Sequence, residues 1–294
     1  MPFVQTSGAR IYYEEAGHGP PVLLIQGIGV IGQGWQPQVR GLADRYRLIV
    51  FDNRGIGAST LEAGPAGAVT LASMAADAAA VLDALHVERA HVVGHSMGGV
   101  IAQQLALTAP GRVRSLSLLC TVGCGRDAVR ITPEVLWRGL RMQIGSKRSR
   151  RRAFVELILP AAAADADVDY DQLAAELVPL FGRDLAEHPP IIFTQMRAMS
   201  QHGAEPRLAE LGPIATLVVS AEKDRVTLAR YGRALAAAIP GARYIELPAV
   251  GHGLPITKPK LVNDLLAQHF ATADGGSPAA PSGGAGDSSA PPKH

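Results

Sequence analysis

A chain of 294 residues with 47% hydrophobic and 18% charged residues holds apolar material for one large folded domain, far from disordered or collagen-like compositions. Lys and Arg total 28 against 26 Asp and Glu, a formal charge of +2, too near balance for an extended phosphate-binding face, so nucleic acid is not an expected partner. Cys120 and Cys124 are the only cysteines, too few for a disulfide scaffold or an all-cysteine zinc site. Phe3–Thr6 and Ala9–Glu14 flank Ser7-Gly8 and predict an antiparallel hairpin at a sheet edge. Short, almost continuously apolar runs follow at Val22–Gln26, Leu48–Phe51, His91–Val93, Ser115–Cys120, Thr216–Ser220 and Tyr244–Leu247. Such runs predict strands covered on both faces, as in a parallel sheet flanked by helices.

Helical patterns lie between them. Leu71, Met74, Ala78, Val81, Leu82 and Leu85 keep helical spacing behind Thr70 as N-cap. A second helix is expected from Met97 to about Thr108, ending at Ala109-Pro110-Gly111, and a third from near Thr227 to Pro240-Gly241. The last takes Pro259 in its first turn. Alternating strand and helix predict an α/β fold. From 124 to 205 strand-like runs vanish, which predicts a helical insertion. Its residues 124–152 hold nine Lys/Arg and 156–187 hold eight Asp/Glu, expected to be solvated faces turned toward each other rather than a nucleic-acid patch. The chain thus divides into core segments 1–123 and 206–272, the insertion 124–205, and a Gly-, Pro- and Ser-rich tail 273–294 expected to be disordered. The start lacks a leader-like basic and apolar stretch, and no apolar run approaches the roughly 20 residues that cross a bilayer. A soluble, cytoplasmic protein without a membrane partner is expected.

Gly94-His95-Ser96-Met97-Gly98 has the form G-x-S-x-G. Chance supplies about 0.16 such matches in a chain this glycine-rich, so the setting carries the weight. The pattern follows a strand and opens a helix, where a sharp turn lifts the serine above the sheet and the helix N-terminus favours negative charge. A serine hydroxyl needs a base to accept its proton. His252, flanked by glycines beyond the last strand, is the candidate. His91 lies in a strand, His86 and His269 in or at helices, His95 in the turn itself, His202 in the insertion, His18 and His188 in turns, and His294 in the tail. The imidazole in turn needs a carboxylate to hold its tautomer and stabilise its cation. Asp224 follows the Thr216–Ser220 strand at the same sheet edge, with Glu222 and Asp127 as fallbacks.

These residues, in the order Ser96, Asp224, His252, resemble the α/β-hydrolase superfamily over about residues 10–270, on the capped serine hydrolase and esterase branch that includes enol-lactonase-like and carboxylesterase members. Asp52-Asn53-Arg54-Gly55-Ile56-Gly57-Ala58-Ser59 is similar to the D-x-R-G-x-G-x-S turn of many capped members, and Val22–Gly29 to the oxyanion-loop strand. Gln26 stands where a histidine commonly precedes the glycine. The resemblance implies an α/β-hydrolase fold, a mostly parallel twisted sheet flanked by helices with the insertion as a cap over its carboxyl edge. It further implies an oxyanion hole made by the backbone N–H groups of Ile28 and Met97, and no metal or organic cofactor. Serine at the elbow argues against the dehalogenase and epoxide-hydrolase branches.

The expected activity is hydrolysis of a carboxylic ester or lactone through an acyl-enzyme. Thioester or carbon–carbon bond hydrolysis, perhydrolysis and a non-catalytic small-molecule receptor remain open on the same framework. The partner is a small molecule, and oligomeric state is left open. Apolar Ile28, Val30 and Ile31, with Trp137, Leu140, Met142, Phe181, Ile191, Ile192, Phe193, Met196 and Met199 of the insertion, lead to the expectation of an uncharged, largely apolar substrate. Gly27-Ile28-Gly29-Val30-Ile31-Gly32, with Asp52 about twenty residues on, also fits a dinucleotide-binding turn. Gly34 and Pro37 would break the helix such a fold needs there, and that alternative, an NAD-binding protein, leaves Ser96, Asp224 and His252 unexplained.

Overall fold

A computed structural model describes residues 2–64, 68–128, 133–159 and 169–275. The strands are β1 (Phe3–Thr6), β2 (Ala9–Ala16), β3 (Pro21–Ile25), β4 (Arg47–Phe51), β5 (Thr60–Leu61), β6 (Ala90–His95), β7 (Val113–Leu119), β8 (Thr216–Ala221) and β9 (Arg243–Leu247). Helices are α1 (Gln36–Leu42), α2 (Leu71–Ala84), α3 (Met97–Thr108), α4 (Gly125–Ala128), α5 (Pro133–Gln143), α6 (Lys147–Ile158), α7 (Tyr170–Phe181), α8 (Ile191–Ser200), α9 (Ala229–Ala238), α10 (Leu254–Thr257) and α11 (Pro259–Ala273). One sheet runs in the order β1-β2-β4-β3-β6-β7-β8-β9, with β5 on β2. The β1-β2 hairpin turns at Gly8 (φ 78°), and β2 meets β4 antiparallel. From β4 onward every pairing along that order is parallel. The fold is that of an α/β hydrolase.

The apolar runs are strands because each face has its own core. Leu23, Ile25, Ile49 and Phe51 face α2, α3 and α9, whereas Val22, Leu24, Leu48 and Val50 face α1 and α11 around Trp35, Leu266 and Phe270. Period-two alternation therefore buries both sets, and each large side chain so covered contributes roughly 1.5–3 kcal/mol. Helix α2 opens on a Thr70–Ser73 capping box.

One unexpected helix appears and one expected boundary moves. Helix α1 was not predicted, because Gly34 and Pro37 read as breakers; Gly34 lies in a preceding 3-10 turn and Pro37 in the first helical turn, where proline costs no hydrogen bond. Helix α9 begins at Ala229, two residues after the expected start, because Asp224 captures Thr227 through its N–H and its hydroxyl. Helix α11 runs to Ala273, and the expected disordered tail lies, beyond residue 275, outside the described residues.

Between β7 and β8 the described residues form helices α4 to α8 and no strand. The two ends of this excursion meet through a bridge between Cys124 and Gly203. Its interior holds a small core of Val155, Ile158, Leu177 and Phe181. Its basic residues turn onto its acidic ones: Arg151 forks Asp184 at 2.8 and 2.7 Å, Arg148 reaches Asp171, and Arg138 and Arg152 share Glu156. No described helix is long and apolar enough to cross a membrane.

Candidate active site

Parallel register brings the carboxyl ends of five strands to one rim. Ile25 pairs with Gly94, His95 with Leu119, Leu119 with Val219, and Ala221 with Leu247, so the loops after β3, β6, β8 and β9 open on the same side, where ligands of such sheets bind. Ser96 follows β6 at φ 55° and ψ −121°, a strained backbone costing on the order of 1–3 kcal/mol. The neighbouring glycines make it possible. A Cβ on Gly94 would collide with the Gly98 carbonyl, and one on Gly98 with the Ile25 carbonyl. A Cβ on Gly27 would come 3.1 Å from Ser96 Cβ, so the loop after β3 lies directly against the serine.

Asp224 and His252 meet: Nδ1 of His252 lies 2.8 Å from Asp224 Oδ2. A carboxylate only accepts, so Nδ1 carries the hydrogen and Nε2 of the neutral ring keeps its lone pair. Oδ1 of Asp224 accepts the N–H groups of Val226 and Thr227, both at 2.8 Å, and the Thr227 hydroxyl lies 2.7 Å from Oδ2. Burial pushes the Asp224 carboxyl up, but the His252 charge and the bonds from His252 and Thr227 outweigh it and hold the group below the ordinary carboxylate range. Neither fallback takes this place: Glu222 is exposed on Lys223 and the Ala249 N–H, and Asp127 sits on α4, off the cavity lining.

Ser96 and His252 line one cavity of about 530 Å³, together with Ile28. No hydrogen bond joins the Ser96 hydroxyl to His252. Beneath them His95 donates from Nε2 to the His252 carbonyl at 2.9 Å. Burial, with the neighbouring His252 charge, pushes His95 down to about 3, so it stays neutral and clamps the His252 backbone. His95, Cys120 and His252 offer ligand atoms within 4.8 Å of one another. Burial and the Asp224 charge push the Cys120 thiol well up, however, which disfavours the thiolate a metal needs.

The loop after β3 shows how its N–H groups are shared out. Gly27 N–H goes to Gln26 Oε1 at 3.1 Å and Gly29 N–H to Gln195 Oε1 of α8 at 3.0 Å. Ile28 N–H, between them, and Met97 N–H, at the start of α3, have no acceptor among the described residues. Gln26 thus supplies the loop's internal bond with its own amide, and Asn53 Nδ2 holds the Gln26 carbonyl at 3.0 Å. Asp52, the acid that a dinucleotide fold would turn to a ribose, instead accepts Gly32 and Ala58 N–H at 2.7 and 2.9 Å. Arg54 of the same turn forks Asp77 of α2 at 2.6 and 2.7 Å, a buried pair whose breaking costs about 3–5 kcal/mol.

The wall of the cavity is mostly apolar, with Leu140, Met142, Phe181, Ile192, Phe193, Met196, Met199 and Val30 among its residues; Trp137, Ile191 and Ile31 are not. Arg183, Arg225 and His188 also line it, polar groups beside the apolar side chains on which the expectation of an uncharged substrate rests. Gln195 and Arg183 carry no local sequence signal, since both act through docking of the excursion onto the core. Thr227, three residues after an aspartate before a helix, has one in turn chemistry.

Residues 20–259 match the family model described as alpha/beta hydrolase fold. The chain belongs to this family. It is 32% identical over 266 residues, 90% of this chain and 97% of the relative, to the protein named "Putative carbamate hydrolase RutD" from Azorhizobium caulinodans. Among solved structures, a hydrolase from Pseudomonas aeruginosa superposes with a TM-score of 0.73 at 28% identity, covering 92% of this chain and 97% of that one. An N-acyl homoserine lactone degrading enzyme superposes with a TM-score of 0.74 at 30% identity, covering 90% and 99%. This α/β hydrolase thus has relatives named for hydrolytic activities.

Proposed function

We propose that this α/β hydrolase is a serine hydrolase that cleaves a carboxylic ester or lactone of a small, largely apolar substrate through an acyl-enzyme. The single observation that carries the proposal is a serine on a strained elbow sharing a cavity with a histidine whose Nδ1 is tied to a buried carboxylate. His252 Nε2 takes the Ser96 proton as Oγ attacks the carbonyl carbon, the contact closing once a substrate is seated. The oxyanion receives the Ile28 and Met97 N–H groups, neither of which has an acceptor among the described residues. His252, its cation stabilised by Asp224, returns the proton to the leaving alkoxide. Water then attacks the acyl-enzyme with His252 again as base, and Ser96 leaves as the product acid forms. No step calls on a metal or organic cofactor.

The excursion between β7 and β8 serves as a cap, its described helices α5, α6, α7 and α8 closing the cavity with apolar side chains. Lactone and carbamate chemistry, named among the relatives, pass through the same oxyanion; so do thioester and carbon–carbon bond hydrolysis. The test is labelling with a fluorophosphonate probe, combined with turnover of short p-nitrophenyl esters. Wild type is expected to label and to hydrolyse, and Ser96→Ala to do neither; equal labelling of both proteins would remove Ser96 as the nucleophile.

A further inference from the structure

Resting on that hydrolytic reading, we propose that the cavity contains an anion subsite built on Arg183, and that the substrate is an ester or lactone carrying a carboxylate at the end of a short apolar spacer. Two arginines, Arg183 and Arg225, line the cavity, and among the described residues no aspartate or glutamate does. A wall with one sign of charge in an apolar surround selects the opposite charge.

Arg183 differs from three other arginines of the excursion. Arg148, Arg151 and Arg152 each reach a carboxylate. Arg183 forms no ion pair among the described residues; its Nη1 donates to the main-chain carbonyl of Glu187 at 2.7 Å and lies 3.4 Å from that of Asp184. Its Nε is buried without a partner, and its Nη2 has no acceptor among the described residues. The Nε and Nη2 edge is the one this protein uses elsewhere to fork a carboxylate. Arg54 presents it to Asp77 at 2.6 and 2.7 Å, and Arg151 presents it to Asp184 at 2.8 and 2.7 Å. On Arg183 that edge is open. A cation held in a wall with its Nε and Nη2 donors unpaired is costly, and a planar carboxylate satisfies both nitrogens at once through charge-assisted bonds. Burial already works against the charge of Arg183.

The position sets where the acid lies on the substrate. Nη2 of Arg183 is 3.2 Å from the point a Cβ on Gly29 would occupy, and Gly27, two residues earlier, lies against Ser96. Two residues of chain span at most about 7 Å, so a few methylenes separate the acid from the carbonyl that Ser96 attacks. Phe154, Phe181 and Ile192 of the wall suit that hydrocarbon spacer.

The experiment compares kcat/KM for mono-p-nitrophenyl adipate, which bears a free carboxylate, with its neutral methyl ester, and repeats the pair in Arg183→Gln and Arg183→Lys. Using the ratio within each protein cancels any general loss of activity. Wild type is expected to favour the acid at least tenfold, chiefly through KM, with the ratio near one in R183Q and intermediate in R183K. Efficient hydrolysis of both esters by wild type at equal kcat/KM, or a preference that survives R183Q, overturns the subsite and leaves the hydrolase assignment standing. A second arm is independent of turnover. Calorimetry on Ser96→Ala is expected to show hexanoate binding at least tenfold more tightly than hexanamide, and the double variant S96A/R183Q to lose that difference. If esters are not turned over through Ser96 yet the calorimetric difference holds, the subsite stands and the hydrolase assignment falls; equal binding of the two ligands overturns the subsite.

Discussion

Asp224 is a small group with several duties. It is 2% exposed, accepts two backbone N–H groups, holds the His252 ring by Nδ1 and lies against the Thr227 hydroxyl. Its depressed titration means that it remains a carboxylate wherever His252 works. Replacing it by asparagine keeps the volume but offers the ring an N–H. The imidazole then adopts the other tautomer, with its hydrogen on Nε2 facing the cavity and no lone pair for the Ser96 proton. In the proposed mechanism Asp224→Asn is expected to lower kcat roughly 10³- to 10⁴-fold with little change in KM, as steady-state ester hydrolysis would show. A loss below tenfold would mean that His252 does not depend on this carboxylate.

At the scale of elements, the loop after β3, the proposed oxyanion loop, is held from two sides. The core supplies Gln26 and Asn53; helix α8 supplies Gln195, whose Oε1 takes the Gly29 N–H. Gln195 is fully buried, and its Nε2 has no partner among the described residues, so the acceptor atom is what the site uses. Gln195→Leu removes that acceptor while keeping a similar volume, and a misaligned loop aims the Ile28 N–H away from a developing oxyanion. The expected outcome is a roughly 10- to 100-fold fall in kcat, with KM changed far less. Gln195→Glu, which retains an acceptor, is expected to recover part of the rate. If both variants lose activity equally, the bond to Gly29 is not what positions the loop, and stopped-flow measurement of the acylation phase distinguishes this from a defect in deacylation.

Across the whole molecule, legibility in the sequence follows from how local each cause is. The central strands stood out because a sheet covered on both faces needs unbroken apolar runs, and Ser96, Asp224 and His252 stood out because each follows such a run. Helix α1 and the start of α9 were obscured by Pro37 and Thr227, whose roles depend on partners. Arg183 and Gln195 were invisible because only the docking of the excursion brings Arg183 to the cavity and Gln195 to Gly29. The histidines carry a further whole-molecule consequence. Burial lowers His91 and His202 to about 4 and His95 to about 3, and also lowers His269. Ser115, Asp274 and Arg114 around His91 do not reverse this. An unfolded chain takes up a proton on each imidazole near pH 6.5, whereas the folded chain does not until the pH falls to these lower values. Stability is therefore full above about pH 6.5 and falls as the pH drops toward 4. Each of His91, His95 and His202 is expected to withdraw roughly 2 kcal/mol by pH 5, a large share of a typical domain's 5–15 kcal/mol. Urea unfolding at pH 7, 6 and 5 is expected to show a midpoint that declines at each step, and His202→Gln, which cannot take up that proton, to decline less steeply than wild type. A midpoint that stays level from pH 7 to pH 5 would show that these imidazoles are protonated in the folded protein as readily as in water.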